Sequence, residues 1–378
     1  MRPLFSLITL ISLLFCQTHN AAADEAARQS QDRSAKRLEE TVLNQNLTLE
    51  KRVKALKVLM ADEMQDGFLN RTFCIWDPLG KAGPIAGAAN DQILRSMHYG
   101  MKLSIEVFQD ETAIKQAFLD TTECDAILIR GAAARPFNSF LSTLEAPGAL
   151  PDRDHLQLLA QVLAKPAIAP KLTNDKYTAL GVITIGSQHL FASSAALAST
   201  SALQNSSLAV SDADQGYVRL IEKFGGSARS NALNASVLAF SAGLSQQLIA
   251  PDIGYLMAGV GLTDTTNVAL DIPLGQSTLQ LVGHADRFPA GLAQILREDF
   301  LFRFHHYARL LDKELGNLPA SFWLTPTQAD TERLTGLSRS VRIELRNKGY
   351  YDADMLKLAR KIRCRFTPDE DECKSPVE

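Results

Sequence analysis

The chain has 378 residues, 46% of them hydrophobic, and a formal net charge of −3. That length supports two ordinary domains with real cores. The charge argues against a nucleic-acid binder, which usually carries a basic excess, and no internal apolar run reaches the length of a membrane span.

The N-terminus reads as a secretory signal peptide. Arg2 supplies the positive end, Leu4 to Cys16 the apolar stretch, and Ala21-Ala22-Ala23 the small residues at a cleavage point before Asp24. Residues 1–23 are then removed. A lipoprotein signal ending at Cys16 fits less well, because Phe15 is bulky, and an uncleaved anchor fits least, because the segment is short. Export leaves Cys74, Cys124, Cys364 and Cys373. An even count in an oxidising compartment suggests two disulfides, with three pairings possible. Zinc is the alternative, but no CxxC or clustered Cys/His spacing exists, so no metal is expected.

Residues 24–70 are polar and helix-prone, with Leu and Val every three to four residues from Leu38 to Met60. One or two amphipathic helices packed on the main body are expected; the heptad does not persist, which disfavours a coiled-coil partner. Next comes TFCIWDPLGKAGPIAG, residues 72–87. It reads as a strand over 73–76, a Pro/Gly turn, and a helix from Pro84 to Tyr99. A helix start after such a turn offers unpaired N–H groups to a ligand. An ordinary first βα turn is the plainer reading, since neither a Walker lysine nor GxGxxG is present.

Strand 103–108, helix 111–120 and strand 125–129 follow. Strands alternating with helices at this spacing imply right-handed crossovers and a parallel sheet. In the open-sheet order 2-1-3 the first and third strands are neighbours. Cys74 and Cys124 then lie at the same end of adjacent strands, so their pairing is reasonable, and Cys364–Cys373 closes a short local loop. The opposite, carboxyl ends are Trp76-Asp77-Pro78 and Arg130-Gly131, where open α/β sheets bind ligands. The loop after Arg130 carries Arg135, Phe137 and Asn138. It is either an anionic or polar ligand site or a solvated surface loop.

HLQLLAQVLA (155–164) is helical, and LGVITIGSQHLFAS (180–193) reads as a strand crossing between lobes. A second α/β unit follows. Strand 208–210 ends in Ser211-Asp212-Ala213-Asp214, a helix over 215–224 is capped by Gly225-Gly226, a helix covers 235–245, and strand 247–250 ends near Asp252 and Tyr255. Strand 278–283 returns before residues 290–363, which look helical. An acidic tail over 365–378 carries the last cysteine.

This layout resembles the periplasmic solute-binding proteins, and more closely those of tripartite ATP-independent periplasmic (TRAP) transporters. The resemblance runs from about residue 71 to the end. Trp76–Gly80, Asn205 into Asp214, and Pro273 to Phe288 carry it. The pattern is most similar to an uncharacterised proteobacterial branch whose members some genomes label components of RND efflux pumps. Its habits appear here as WDPLG at Trp76–Gly80, Arg135-Pro136-Phe137-Asn138, the Asp-rich turn at Val210–Asp214, and Gly349–Asp352 with Cys364 and Cys373. The resemblance implies an α/β, two-lobed periplasmic-binding-protein-like fold with a hinge cleft and helical N- and C-terminal additions. The lobes would be 71–183 with 273–300, and 184–272, followed by C-terminal helices and tail over 301–378.

The function so implied is periplasmic capture of a small polar or anionic solute and its delivery to inner-membrane transporter subunits. No cofactor, nucleic acid or stable membrane insertion is implied. Trp76, Phe137 and Tyr255 would supply stacking surface. Arg130, Asn138, Asp212 and Gln276 would orient the solute, with Asp77, Pro78, Arg135 and Ser211 beside them. One departure stands out. The second-lobe strand of such proteins carries an arginine that grips a ligand carboxylate, and Ser207–Ser211 has none. Arg130 or Arg135 would replace it from the other lobe, or the Asp residues would prefer an amine or hydroxyl ligand.

No enzyme constellation emerges. There is no GxSxG elbow and no HExxH, and His305-His306 project about 100° apart on a helix. The alternative class is an envelope interaction protein on the same fold, with a vestigial cleft and working helices at residues 24–70 and 301–363.

Overall fold

A computed structural model describes residues 32–120, 123–213, 215–257 and 266–378. The expected signal peptide and Asp214 lie outside these. Residues 32–43 (α1) and Leu49–Leu59 (α2) are helical. They lead into strand β1 (Leu69–Trp76), helix α3 (Pro84–Ser96), β2 (Met101–Phe108), α4 (Glu111–Asp120) and β3 (Ala126–Arg130). Helices α5 (Ser139–Ser142), α6 (Arg153–Leu163) and α7 (Ala169–Leu172) precede the long β4 (Tyr177–Ala192). Then come β5 (Ser207–Ser211), α8 (Gln215–Lys223), β6 (Ser227–Asn231), α9 (Leu233–Ser241), β7 (Gln247–Pro251), α10 (Asp252–Met257), β8 (Val268–Leu270) and β9 (Gly275–His284). The chain closes with α11 (Ala290–Leu315), β10 (Trp323–Leu324), α12 (Gln328–Asn347), α13 (Ala353–Phe366) and α14 (Asp371–Lys374).

One sheet runs through the molecule in the order β2-β1-β3-β9-β4-β7-β5-β6. Its first three strands are parallel and take the expected 2-1-3 order. β5, β6 and β7 form a second parallel group. The joint is antiparallel. β4 pairs β9 along most of its length and β7 over Gln188–Ala192. It is the crossing strand read from residues 180–193. Its pairing with β9 shifts register between Thr184 and Ser187. Gly186 sits inside that irregularity with φ of 99°, which disfavours a side chain.

Strand alternation divides neighbouring residues between two cores. Leu190, Val210 and Ile249 pack against α6, α8 and the C-terminal helices, while Phe191, Ala209 and Leu248 face the other way. The sequence pattern did not suggest β6, β8 or β10. β6 is the cause most easily seen: SARSN is a polar, mostly exposed edge strand with no apolar alternation to read.

The N-terminal helices dock on α11. Arg52 donates to Glu298 and to the Val42 carbonyl, and Gln45 donates to Glu298. Both disulfides pair as read: Cys74 with Cys124 and Cys364 with Cys373, each with Cα atoms 5.6 Å apart. The second pins the tail. Arg363 reaches Glu372 and Glu378, and Arg342 reaches Glu378.

Candidate functional site

Three strands end at one place. Trp76 closes β1, Arg130 closes β3 and Ser211 closes β5. Parallel sheets present ligand sites at such ends. Arg130 is 2% exposed. Its Nε donates to Glu111 Oε1 at 2.7 Å, and its Nη2 donates to Glu111 Oε2 at 2.6 Å and Ser211 Oγ at 2.9 Å. Its guanidinium carbon lies 5.7 Å from the Trp76 ring. Two parallel N–H···O contacts to one carboxylate are the strongest arginine geometry. Arg130 therefore ties the β1–β3 half of the sheet to the β5–β7 half.

A second acid lies nearby. Glu145 is buried, and its Oε1 accepts from the backbone N–H and hydroxyl of Thr278, its Oε2 from the Ala132 N–H. Gln276 Nε2 donates to Ser187 Oγ at the irregular stretch of β4. At the bend in β4 itself, the backbone N–H groups are met by other side chains: Gly186 N–H donates to Thr184 Oγ1 and Ser187 N–H to Asp252 Oδ2.

The other predicted residues are employed elsewhere. Asp77 is fully buried and caps α3, accepting from Leu79, Ile85 and Ala86 N–H at 2.9 Å each. Its neighbour Pro78 is half-buried. Asn138 Oδ1 caps α5 through the Leu141 N–H, and its amide donates to the Lys171 carbonyl. Phe137 packs edge-on to Phe118 and Tyr177 in the core. Tyr255 stacks 4.4 Å from Phe191. Arg135 lies over the Tyr350 ring at 3.5 Å. Asp212 is exposed, and its N–H donates to Asn231. So the fold gathers Trp76, Arg130 and Ser211, and spends Asp77, Phe137, Asn138 and Tyr255 on capping and packing.

Sequence reading missed Glu111, Glu145 and Thr278. A signal existed for Glu145, a lone acid inside the apolar run FLSTLEAPGAL. Buried charges are rare unless paired or hydrogen-bonded, so an acid in such a run marks a polar site. Glu111 opens an ordinary helix and gave no such sign.

The seam is tight. The space beside it, between Arg135, Glu145, Tyr217 and Tyr350, is about 20 Å³. A separate cavity of about 660 Å³ lies under α3 and α11. Among the described residues, no His, Cys, Asp and Glu side chains gather as a metal-binding group.

Residues 93–378 match the family model for solute-binding protein AdeT 1/2. The chain belongs to that family. It is 25% identical over 303 residues to the probable solute-binding protein AdeT1 of Acinetobacter baumannii, covering 79% of this chain and 98% of the relative. The probable solute-binding protein AdeT2 of the same organism is 21% identical over 60% of this chain and 95% of its own length. Among solved structures, a TRAP periplasmic solute-binding protein from Desulfovibrio salexigens with bound orotic acid superposes with a TM-score of 0.63. Identity is 14%, covering 78% of this chain and 99% of that one. A TRAP protein from Ralstonia eutropha H16 with bound (S)-2-acetolactate gives 0.62 at 14% identity, covering 78% and 99%. One from Pseudomonas aeruginosa PAO1 with bound L-malate gives 0.58 at 11%, covering 72% and 98%. The fold is therefore the two-lobed α/β fold of these proteins. Family and fold are those of solute-binding proteins, not of enzymes.

Proposed function

We propose that the chain is a periplasmic protein that captures a small anionic or polar solute between its lobes and hands it to inner-membrane transporter subunits. The observation that carries this is Arg130. It holds a carboxylate in fork geometry while bonded to Ser211 across the lobes, so a carboxylate seat already stands at the meeting point of three strand ends. In this conformation Glu111 fills the seat. A solute carboxylate would take its place once the lobes part. Arg130 thereby supplies from one lobe the group that Ser207–Ser211 lacks in the other. Trp76 supplies the apolar wall.

The proposed lobes are 71–183 with 273–300, and 184–272, with the hinge at the irregular stretch of β4 around Gly186. Hinge closure of this kind reshapes the surface shown to a partner. Periplasmic residence is supported by the apolar N-terminal stretch and by two disulfides among the described residues. No described helix is long and apolar enough to cross a membrane. The small acids bound by the solved neighbours, such as orotate and malate, are the first solutes to try.

One observation favours a second reading, an envelope interaction protein. The seam's polar groups satisfy one another, and little space remains there. Native mass spectrometry on gently purified protein, followed by a thermal-shift panel of small carboxylic acids, separates the two. A bound acid, lost in Arg130→Ala, supports capture. No bound molecule and no shift across the panel leaves the interaction protein as the reading.

A further inference from the structure

The 660 Å³ cavity is not the Arg130 seam: Trp76, Arg130, Ser211, Glu145 and Gln276 do not line it. Its floor is one face of the sheet, where strand register sets Ile75, Leu128 and Leu281 side by side. Its roof is α3 and α11. α3 lines it with the small residues Gly87, Ala88 and Ala89, of which Gly87 is exposed and Ala89 buried, so the mouth is left open on that side. Protein interiors pack like organic crystals, with few voids larger than a water. An apolar space of this size falls in the range of small-molecule pockets.

Asp299 is among the polar residues at its edge. Asp299 receives Arg95 Nε at 2.9 Å, Arg95 Nη2 and the Tyr99 hydroxyl, all on Oδ1. Its Oδ2 accepts none of these donors. The cavity's charged residues are three carboxylates (Asp91, Asp299, Glu314) against two cations (Arg95, Lys313). An acceptor oxygen in a slightly acidic surround fits a hydrogen-bond-donating head and disfavours a carboxylate.

We propose that this cavity binds an amphiphile with an aliphatic body and an amine head, the body against Leu128 and Leu281 and the ammonium at Asp299 Oδ2. The site is independent of solute capture at Arg130. It requires neither an open cleft nor a transporter.

The test is calorimetric titration of the full chain with decylamine and, separately, decanoate, both below their micelle concentrations. One decylammonium per chain should bind, at least tenfold tighter than decanoate. Gly87→Trp should weaken it at least tenfold. A side chain at Gly87 meets open space, so the helix should tolerate it. Ala88→Phe is the second plug, should Gly87→Trp not fold by circular dichroism. Asp299→Asn should erase the preference for amine over acid. The proposal fails if neither probe binds, if decanoate binds as well as decylamine, or if folded plug variants bind decylamine as wild type does.

Discussion

Arg130 holds the seam together, and under the proposed function it would also receive the solute. Both Arg130 and Glu111 are largely buried, with side chains 3% and 14% exposed. Removing one partner of such a pair leaves the other charge desolvated, at a cost of about 3–5 kcal/mol. Arg130→Ala should therefore lower the denaturation midpoint strongly as well as abolish carboxylate binding. The conservative Glu111→Gln keeps a hydrogen-bond acceptor beside Arg130 while removing the competing charge. It should tighten binding of any small acid that binds wild type, read as a larger ligand-induced thermal shift; weaker binding would refute Glu111 as the competitor. Asp77 makes the contrasting case. Sequence reading set it at the ligand face, and the structure engages both its oxygens with three N–H groups of α3 and the preceding turn. Gly83 must be glycine beside it, since a Cβ there would run into the Asp77 carboxylate. Asp77→Ala should cost about 2 kcal/mol, at the upper end for a helix cap, read by chemical denaturation.

At the scale of elements, two attachments at the ends of the chain are testable. α2 is held to α11 through Glu298. Burial pushes the Glu298 carboxyl up, but hydrogen bonds from Arg52, Gln294 and Gln45 outweigh this and hold it below the usual carboxylate value. A depressed folded-state value contributes stability that is present above the unfolded value, about 4.3, and lost as pH falls through the folded one. Melting temperature should therefore fall below about pH 4.3, and Glu298→Gln should flatten that fall while lowering the neutral-pH plateau. An unchanged acid limb would mean that other carboxylates set it. At the other end, the Cys364–Cys373 bridge closes a sequence separation of 9 residues. Chain entropy assigns such a loop about 3 kcal/mol. Cys373→Ser should release Glu372 and Glu378 from Arg363, seen as faster amide exchange over 371–378 and a lower melting temperature. Unchanged exchange there would mean that the ion pairs suffice.

At the scale of the whole molecule, β4 is the only described strand that pairs with both β9 and β7. Motion between the halves must pass through it and through the seam that Arg130 and Ser211 bridge. Gly186 has φ of 99°, and a Cβ there would press on the Asp252 side chain. Asp252 in turn accepts from the Ser187 N–H and pairs with His189. Gly186→Ala should thus cost about 1–2 kcal/mol in backbone strain alone and disturb the hinge. Solution scattering with and without a bound acid checks it. Wild type should contract on binding, and the variant should contract less. Equal contraction would move the hinge elsewhere.

Much of this architecture was legible in the residues. The βαβαβ opening follows from periodicity and spacing, and given the common open-sheet order 2-1-3, which the structure takes, both disulfides follow as well. Parallel neighbours put Cys74 and Cys124 at one end, and nine residues of separation put Cys364 within reach of Cys373. Arg130 and Ser211 were marked as strand ends, which is a local property. Tertiary structure alone decided what they touch. Arg130 meets Ser211 across 81 residues of sequence, and Glu145 meets Thr278 across 133. The first depends on how two halves of a sheet twist and close on each other, the second on how the segment after β3 folds back onto β9, and no local pattern encodes either. The same holds for the cavity. Small residues at 86–89 are plain in the sequence, but only the distance from α3 to the sheet turns them into an empty space.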